Sequence, residues 1–364
     1  MLVVGGGPGG LATAIDLRAA TDLCVVVVDA SDEPAERFGE SLPPDILVPL
    51  DRLGVTAAFR ADGHLPCPGG ISLWGRDRPG HNDFILNPMG PGWHIDRARF
   101  EAMLRTAAAR TGAVIHTRTR AIGIQRGRDG FDVVLEHPSH GAGAVRAARV
   151  VDASGSRAWF ARRQGATRVE HDRMLAIVRF AELRAGTFTS QTVVEATPDG
   201  WWYAARLPGD RIATVLMAER REGRSLTSDD YAEWRRRLAA TRLLAPRLDA
   251  CRLDDERFRS SPVASSTLDR VEGERWLAVG DAASVYDPIA SQGIHKALAD
   301  AADATKAIAA AEGRAGPPPW RYSDRVAARF GDYVANRAHL YELERRWAQS
   351  PFWQRRREAT RACA

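Results

Sequence analysis

Three glycines at the start of the chain, Gly5, Gly7 and Gly10, have the spacing G-x-G-x-x-G within Gly5-Gly6-Gly7-Pro8-Gly9-Gly10. Each place has its own physical need for glycine. The first permits a tight turn, the second lets backbone approach a pyrophosphate, and the third lets a helix pack closely on a strand. The amino terminus of the following helix would then hold the phosphate charge. Asp29 closes the apolar run Cys24–Val28, about twenty residues past the turn, where an acid accepts ribose hydroxyls. These residues point to a bound dinucleotide. On their own they suit a flavin and a nicotinamide dinucleotide equally.

A second segment lies late in the sequence. Gly280-Asp281-Ala282-Ala283 closes the apolar run Trp276–Val279. An aspartate there can accept a hydrogen bond from a ribityl or ribose hydroxyl. Asp287-Pro288-Ile289-Ala290-Ser291-Gln292-Gly293-Ile294 then leads into a helix, whose first amides could stabilise negative charge on a reduced ring. This is not a second βαβ motif, so it adds to the first site.

Particular elements must position these residues. Leu2–Val4, the glycine turn, a helix through Leu11 and Ile15, and Cys24–Val28 read as strand, turn, helix and buried parallel strand. Asp96–Arg110 reads as a helix with Phe100, Met103, Leu104 and Ala107 on one face. Ala113–Ile115, Ala121–Gln125, Phe131–Leu135 and Arg149–Ala153 read as strands. Near the middle of the sequence, Trp201–Arg206 and Ile212–Met217 can pair across Pro208-Gly209-Asp210, with Thr187–Ala196 beside them. That predicts an antiparallel sheet facing a ligand. Asp229–Leu244 reads as a helix, and Ile294, Leu298, Ala301 and Ile308 mark a longer one. Gly316-Pro317-Pro318-Pro319 links to two helices over Arg321–Arg357.

Trp201, Trp202 and Tyr203 are adjacent on the presumed aromatic strand. Neighbours point to opposite faces, so at most two meet the ligand. Trp201 and Tyr203 are the substrate-site candidates, with core packing the alternative. Glu195 is a further candidate, or a solvated strand residue. His94 is a candidate or a structural residue near a helix start. Arg355-Arg356-Arg357 reads as a solvated helix face.

Composition narrows the class. The 364 residues are 45% hydrophobic and 27% charged, as in a globular enzyme of two domains or one domain with a large insertion. The net charge of +5 comes almost wholly from arginine, with lysine only at Lys296 and Lys306. No basic-aromatic stripe accompanies it, so no nucleic-acid partner is expected. No apolar run is long enough for a membrane span. The opening residues lack the basic stretch and cleavage site of a signal peptide, and the four cysteines form no C-x-x-C pair. A cytoplasmic protein with free thiols and no metal is expected.

The ordered set of motifs resembles a known family. Gly280-Asp281-Ala282-Ala283 with Asp287-Pro288 and Gly293-Ile294 resembles the second FAD motif of the para-hydroxybenzoate hydroxylase-like flavoproteins. Gly39-Glu40-Ser41-Leu42-Pro43-Pro44 resembles the G-E-x-x-x-P segment of their tryptophan-halogenase branch. Trp93 to Phe100 resembles the helix start whose arginine, here Arg97, approaches the FAD diphosphate. Val151-Asp152-Ala153-Ser154-Gly155 resembles the central D-A-x-G segment of the same flavoproteins. Gly200 to Pro208 looks most like the maturases that modify tryptophan in quinone-cofactor amine and amino-acid oxidases. Two features depart from the halogenases: no lysine precedes Lys296, and the W-x-W-x-I-P signature is missing.

The resemblance implies an α/β fold, with a Rossmann-like FAD-binding domain, an inserted antiparallel substrate sheet and a C-terminal helical tail. The expected divisions are 1–60, 93–165 and 255–315 for the FAD domain, 61–92 and 166–254 for the substrate domain, and 320–364 for the tail. Expected cofactor contacts are Gly5, Gly7, Pro8, Gly10, Asp29, Arg37, Ser41, Arg97, Asp152, Gly155, Gly280, Asp281, Pro288, Gly293 and Ile294. The implied chemistry is oxygen activation. Reduced FAD and O₂ form a C4a-hydroperoxide, which hydroxylates an aromatic small molecule or a tryptophan in a precursor protein. NAD(P)H or a separate flavin reductase would supply the electrons. The alternatives are a halogenase and a flavoprotein partner that matures a precursor.

Overall fold

The computed structural model describes residues 1–32, 38–183, 188–219, 228–249, 251–253 and 259–363. A parallel sheet carries the amino-terminal motif. Its strands are β1 (Leu2–Val4), β2 (Val26–Val28), β3 (Val114–His116), β4 (Val150–Asp152) and, further along the sequence, Trp276–Ala278. Their order is Trp276–Ala278, β4, β1, β2, β3, with Glu272–Gly273 added antiparallel at the edge. Val4 lies level with Asp152 and Val28, and Asp152 with Ala278. All carboxyl ends therefore meet at one line, the place where open α/β sheets bind ligands. The strands are mostly valine and other apolar residues, which suits a sheet covered on both faces.

The helices Pro8–Ala20 and Gly293–Ala311 cover this sheet and pack on each other. Arg97–Arg110 packs on Pro8–Ala20, and Asp96 caps it by accepting from the Arg99 amide at 3.0 Å. The mixed α/β, FAD-type architecture matches the sequence reading.

A second, mostly antiparallel sheet of eight strands holds β5 (Met174–Leu183), β6 (Thr192–Thr197), β7 (Gly200–Leu207) and β8 (Arg211–Glu219) at its centre. β7 and β8 pair as the turn residues predict, with Leu207 opposite Arg211 and Trp201 opposite Met217. Gly69–Leu73 joins β6 in parallel and Gly80–Asp83 forms the edge. The period of two sorts the aromatics. Trp201 enters a core with Val215 and Met217, while Trp202 enters a separate core with Leu216 and Trp234.

Several details differ from the sequence reading. Arg259–Pro262 pairs with β5, so the large sheet takes residues from beyond 254. Gly141–Ala147 is a strand on the Phe131–His137 hairpin, hidden in the sequence because glycine and alanine carry little strand signal. The helix expected over Asp229–Leu244 ends at Ala239, and a short turn of helix, Ala245–Leu248, follows. Tyr322–Leu343 and Pro351–Cys363 form the two C-terminal helices. Arg356 is not solvated there: it is buried, paired with Glu219 at 2.5 Å and 4.1 Å from the Phe352 ring. No helix of the described residues is long and apolar enough to cross a membrane.

Candidate functional site

The glycine turn joins β1 to the helix Pro8–Ala20. Gly5 has φ +115°, and a Cβ there would sit 2.1 Å from the Ala153 carbonyl oxygen. A Cβ on Gly10 would sit 2.1 Å from the Gly5 carbonyl oxygen, so Gly10 is fixed by packing. A Cβ on Gly7 would meet nothing within 4 Å. The protein itself leaves that space clear, as backbone approach by a pyrophosphate requires. Pro8 begins the helix, where no amide donor is lost. Asp29 accepts from the amides of Gly6 and Ser31, each at 2.7 Å. A carboxylate has further lone pairs, and Asp29 lines the same cavity as the turn.

That cavity has a volume of about 890 Å³. Gly5, Gly7, Pro8, Asp29, Ser41, Arg97, Gly155, Gly280, Asp281, Pro288, Gly293 and Ile294 all line it. Arg97 is held by Glu101 at 2.7 Å, with its other arm towards the carbonyls of Phe38 and Gly39. Gly280 packs against Gly9 of the glycine turn, and its amide donates to Asp300 at 3.1 Å. The Asp281 side chain stays half exposed in the cavity, 3.9 Å from Lys296.

Asp287 fixes the turn between Asp281 and the helix Gly293–Ala311. Its carboxylate is buried and accepts from the Ile289 amide at 3.0 Å, Arg337 at 3.1 Å and the Tyr341 hydroxyl at 2.8 Å. The Tyr333 hydroxyl accepts from the Asp287 amide at 2.7 Å. Arg337 also binds Asp172 at 2.6 Å. The helix Tyr322–Leu343 is thus a brace behind the second cofactor segment. Burial alone would lower the Arg337 guanidinium, but Asp287 and the other partners more than offset it and leave it raised. None of Asp172, Tyr333, Arg337 or Tyr341 was legible as a site residue, because nothing local in the sequence marks so distant a contact.

Past the dinucleotide motifs the cavity is walled by Phe38, Val178, Phe180, Trp201, Tyr203 and Met217. The Tyr203 hydroxyl lies 2.7 Å from Ser41 Oγ, and Ser41 Oγ lies 3.3 Å from Thr192 Oγ1. His94 Nε2 reaches the same Thr192 hydroxyl at 2.8 Å. Burial pushes His94 down to about 4, so its ring is neutral near pH 7. Burial likewise raises the Tyr203 phenol well above its ordinary value.

The geometry corrects the expectations for Asp152 and Glu195, and gives His94 its structural alternative and Gly10 its packing role. Asp152 does not face the cavity. It is buried, and accepts from the Ser154 amide and hydroxyl and from the amides of Phe160 and Ala161 at 2.6–3.0 Å. Glu195 is neither solvated nor in the site. It lies opposite Trp202 and accepts from the amides of Arg242, Leu243 and Leu244 at 2.6, 2.8 and 2.9 Å. His94 is a buried structural neighbour of the cavity wall, one hydroxyl removed from Ser41. Gly10 serves packing, as its spacing predicts, without lining the cavity. Arg37 lies outside the described residues. Lys306 is exposed, whereas Lys296 is buried against Ser284, Asp281, Asp300 and the Tyr286 ring. Neither lysine lines the cavity.

The Asp281→Ala protein should bind FAD more weakly by about 1–3 kcal/mol, the usual penalty when a partly buried polar group loses its partner. Fluorescence titration measures this directly. An unchanged dissociation constant would remove Asp281 from the cofactor site.

Comparisons with known proteins agree with the cradle. A profile of the FAD binding domain family matches residues 1–322. LodB of Marinomonas mediterranea, whose name assigns it to the FAD-dependent oxidoreductases, is 26% identical over 356 residues, spanning 98% of this chain and 96% of that protein. The myxobacterial chondrochloren halogenase CndH, at 22% identity, superposes with a TM-score of 0.87 over 98% of this chain and 85% of its own. The peptidyl tryptophan dihydroxylase QhpG, at 24% identity, superposes with a TM-score of 0.77 over 98% of this chain and 77% of its own. The glycine cradle, the open space at Gly7 and the two adjoining cofactor segments suit an FAD, and the protein belongs to the FAD binding domain family as an FAD-dependent oxidoreductase.

Proposed function

We propose that this protein is a monooxygenase that hydroxylates an aromatic ring, with a tryptophan side chain inside a precursor polypeptide as the preferred substrate class. One observation carries the reading. Among the described residues, Phe38, Val178, Phe180, Trp201, Tyr203 and Met217 line the cavity together with the cofactor segments, and no lysine lines it. Bound FAD supplies the activation of dioxygen. The protein's own residues do the rest. Trp201 and Tyr203 offer ring faces against which an indole can lie edge-on or offset. Phe38, Val178, Phe180 and Met217 keep water out. The amino terminus of the helix Gly293–Ala311 favours negative charge beside it, and Asp287 keeps that turn in place. Tyr203 stays protonated, with its hydroxyl 2.7 Å from Ser41 Oγ.

Free tryptophan carries an ammonium and a carboxylate, and burying them without partners is costly. Arg259, opposite Val178 in the sheet, is a charged residue of the lining, and it is exposed. A ring on a neutral backbone suits the wall better. The name of QhpG places a hydroxylation on peptidyl tryptophan, which supports the same substrate class here. NAD(P)H or a separate flavin reductase completes the cycle.

Halogenation of the kind that needs an ammonium beside the ring lacks its group, because arginine stays charged and cannot replace a nucleophilic lysine. The test is turnover with a flavin reductase and isotopically heavy dioxygen, in the presence of chloride and bromide. Indole, N-acetyltryptophan amide and tryptophan peptides are compared with free tryptophan. Heavy oxygen in the peptide or amide product, with free tryptophan poor, is the expected result. A chlorinated or brominated product would overturn the reaction, and a preference for free tryptophan would overturn the substrate class.

A further inference from the structure

Four aromatic rings form a line from the cavity to the surface. Trp201 lines the cavity and is otherwise buried. Its ring centroid lies 6.1 Å from that of Trp74, Trp74 lies 5.2 Å from Trp353, and Trp353 lies 6.2 Å from Trp347. Trp347 is half exposed, as is Trp74, whose Nε1 is tied to the Leu340 carbonyl at 2.7 Å. Tyr341 sits beside the line, 5.9 Å from both Trp74 and Trp353. Its hydroxyl accepts from Trp201 Nε1 at 3.1 Å and donates to Asp287 at 2.8 Å. The Arg346 guanidinium, 4.3 Å over the Trp347 ring, is neutralised by Glu344 at 2.6 Å.

The adjacent residue supplies an internal contrast. Trp202 points to the other face of the sheet and pairs with Trp234 at 5.2 Å, a similar edge-on contact. Neither Trp202 nor Trp234 lines the cavity. Of these two aromatic groups, the Trp201 cluster alone joins the place where oxidants arise to the solvent.

We infer that Trp201, Trp74, Trp353 and Trp347 are a one-electron path that discharges an oxidant formed in the cavity. Indole is among the most readily oxidised side chains, and rings in contact exchange electrons without a bridging group. Trp201 gives one electron to the oxidant. Trp74 refills Trp201, Trp353 refills Trp74, and Trp347 refills Trp353. The oxidant gains one electron and Trp347 has lost one. Trp347 then releases its indole proton to water, which a buried indole could not do. A thiol or ascorbate in solution restores it with one electron and one proton. Tyr341 can share the vacancy by passing its phenolic proton to Asp287, the carboxylate already bonded to it. In turnover the oxidant is a reactive oxygen species left when oxygen activation goes astray. That protective role rests on the monooxygenase reading. The path itself needs only bound FAD, because blue light turns FAD into a one-electron oxidant.

The test therefore uses the FAD-loaded protein without oxygen or aromatic substrate. Under blue light with ascorbate, the flavin should bleach. Trp74→Phe and Trp353→Phe should bleach severalfold more slowly, and Trp234→Phe should match the parent, with FAD absorbance confirming equal loading. A nitroso spin trap in place of ascorbate should mark Trp347 in the parent protein, as read by peptide mass spectrometry. Equal bleaching in all loaded proteins, or trapped adduct confined to Trp201 in the parent, would overturn the path. The trap experiment stands even where a variant fails to fold. A failed hydroxylation assay with a successful light experiment would sink the reaction and keep the path; the reverse would do the opposite.

Discussion

The Gly7→Val protein is expected to fold and to purify without flavin. Gly7 precedes the first helix with φ −80° and ψ −179°, extended backbone that valine adopts readily. Its Cβ would meet no protein atom within 4 Å, so the new side chain starts in open space. The whole effect falls on the ligand, because the branched side chain fills the space where the pyrophosphate approaches backbone amides. Far-ultraviolet circular dichroism should match that of the parent stripped of flavin, and the flavin absorbance should vanish. Gly10→Val differs in kind. Its Cβ collides with the Gly5 carbonyl, so that variant should lose the fold around the turn. Full FAD retention by Gly7→Val would mean that the pyrophosphate lies elsewhere.

The second large effect concerns a residue that probes the brace. Asp287→Ala should destabilise the protein by about 3–5 kcal/mol, the cost of leaving one member of a buried ion pair alone. Arg337 and Asp287 have side-chain exposures of 5% and 0%, so solvent cannot take over. Asp172 remains as a partner for Arg337, which places the loss nearer the lower end. The Ile289 amide and Tyr341 hydroxyl lose their acceptor as well, so the turn before Gly293 loosens and FAD affinity falls with stability. Denaturant unfolding of the FAD-free protein isolates the first effect, and cofactor titration the second. A change within about 0.5 kcal/mol, as for an ordinary surface site, would show that the brace does not rest on Asp287.

The sequence made most of the cofactor side readable because its constraints are local. Gly5, Gly7 and Gly10 each answer to a distance of a few residues, and Asp281 follows directly from a buried strand. The aromatic strand was half readable. Alternation separates Trp201 and Tyr203 from Trp202, yet it does not say which face holds the ligand. Glu195 was misplaced for want of one register. Thr197 pairs with Gly200 across Pro198-Asp199, which sets Glu195 opposite Trp202 and away from the cavity. That two-residue turn was a usable signal. Asp152 failed differently: a carboxylate after a strand can serve its own backbone as well as a ligand, and only the positions of Phe160 and Ala161 decide. Arg337 and Asp172 are 165 residues apart, and no periodicity reports such a meeting.

The brace also sets a time for assembly. Residues 5 to 9 line the cavity, but the second cofactor segment beside them is locked by Arg337 and Tyr341, more than 300 residues further along. During synthesis the glycine turn emerges first and waits on the order of tens of seconds for its far partners, at about 5–20 residues per second. A nascent polypeptide can therefore form the turn before its second cofactor segment is locked. FAD capture therefore waits for the helix Tyr322–Leu343 to be made and docked on Asp287.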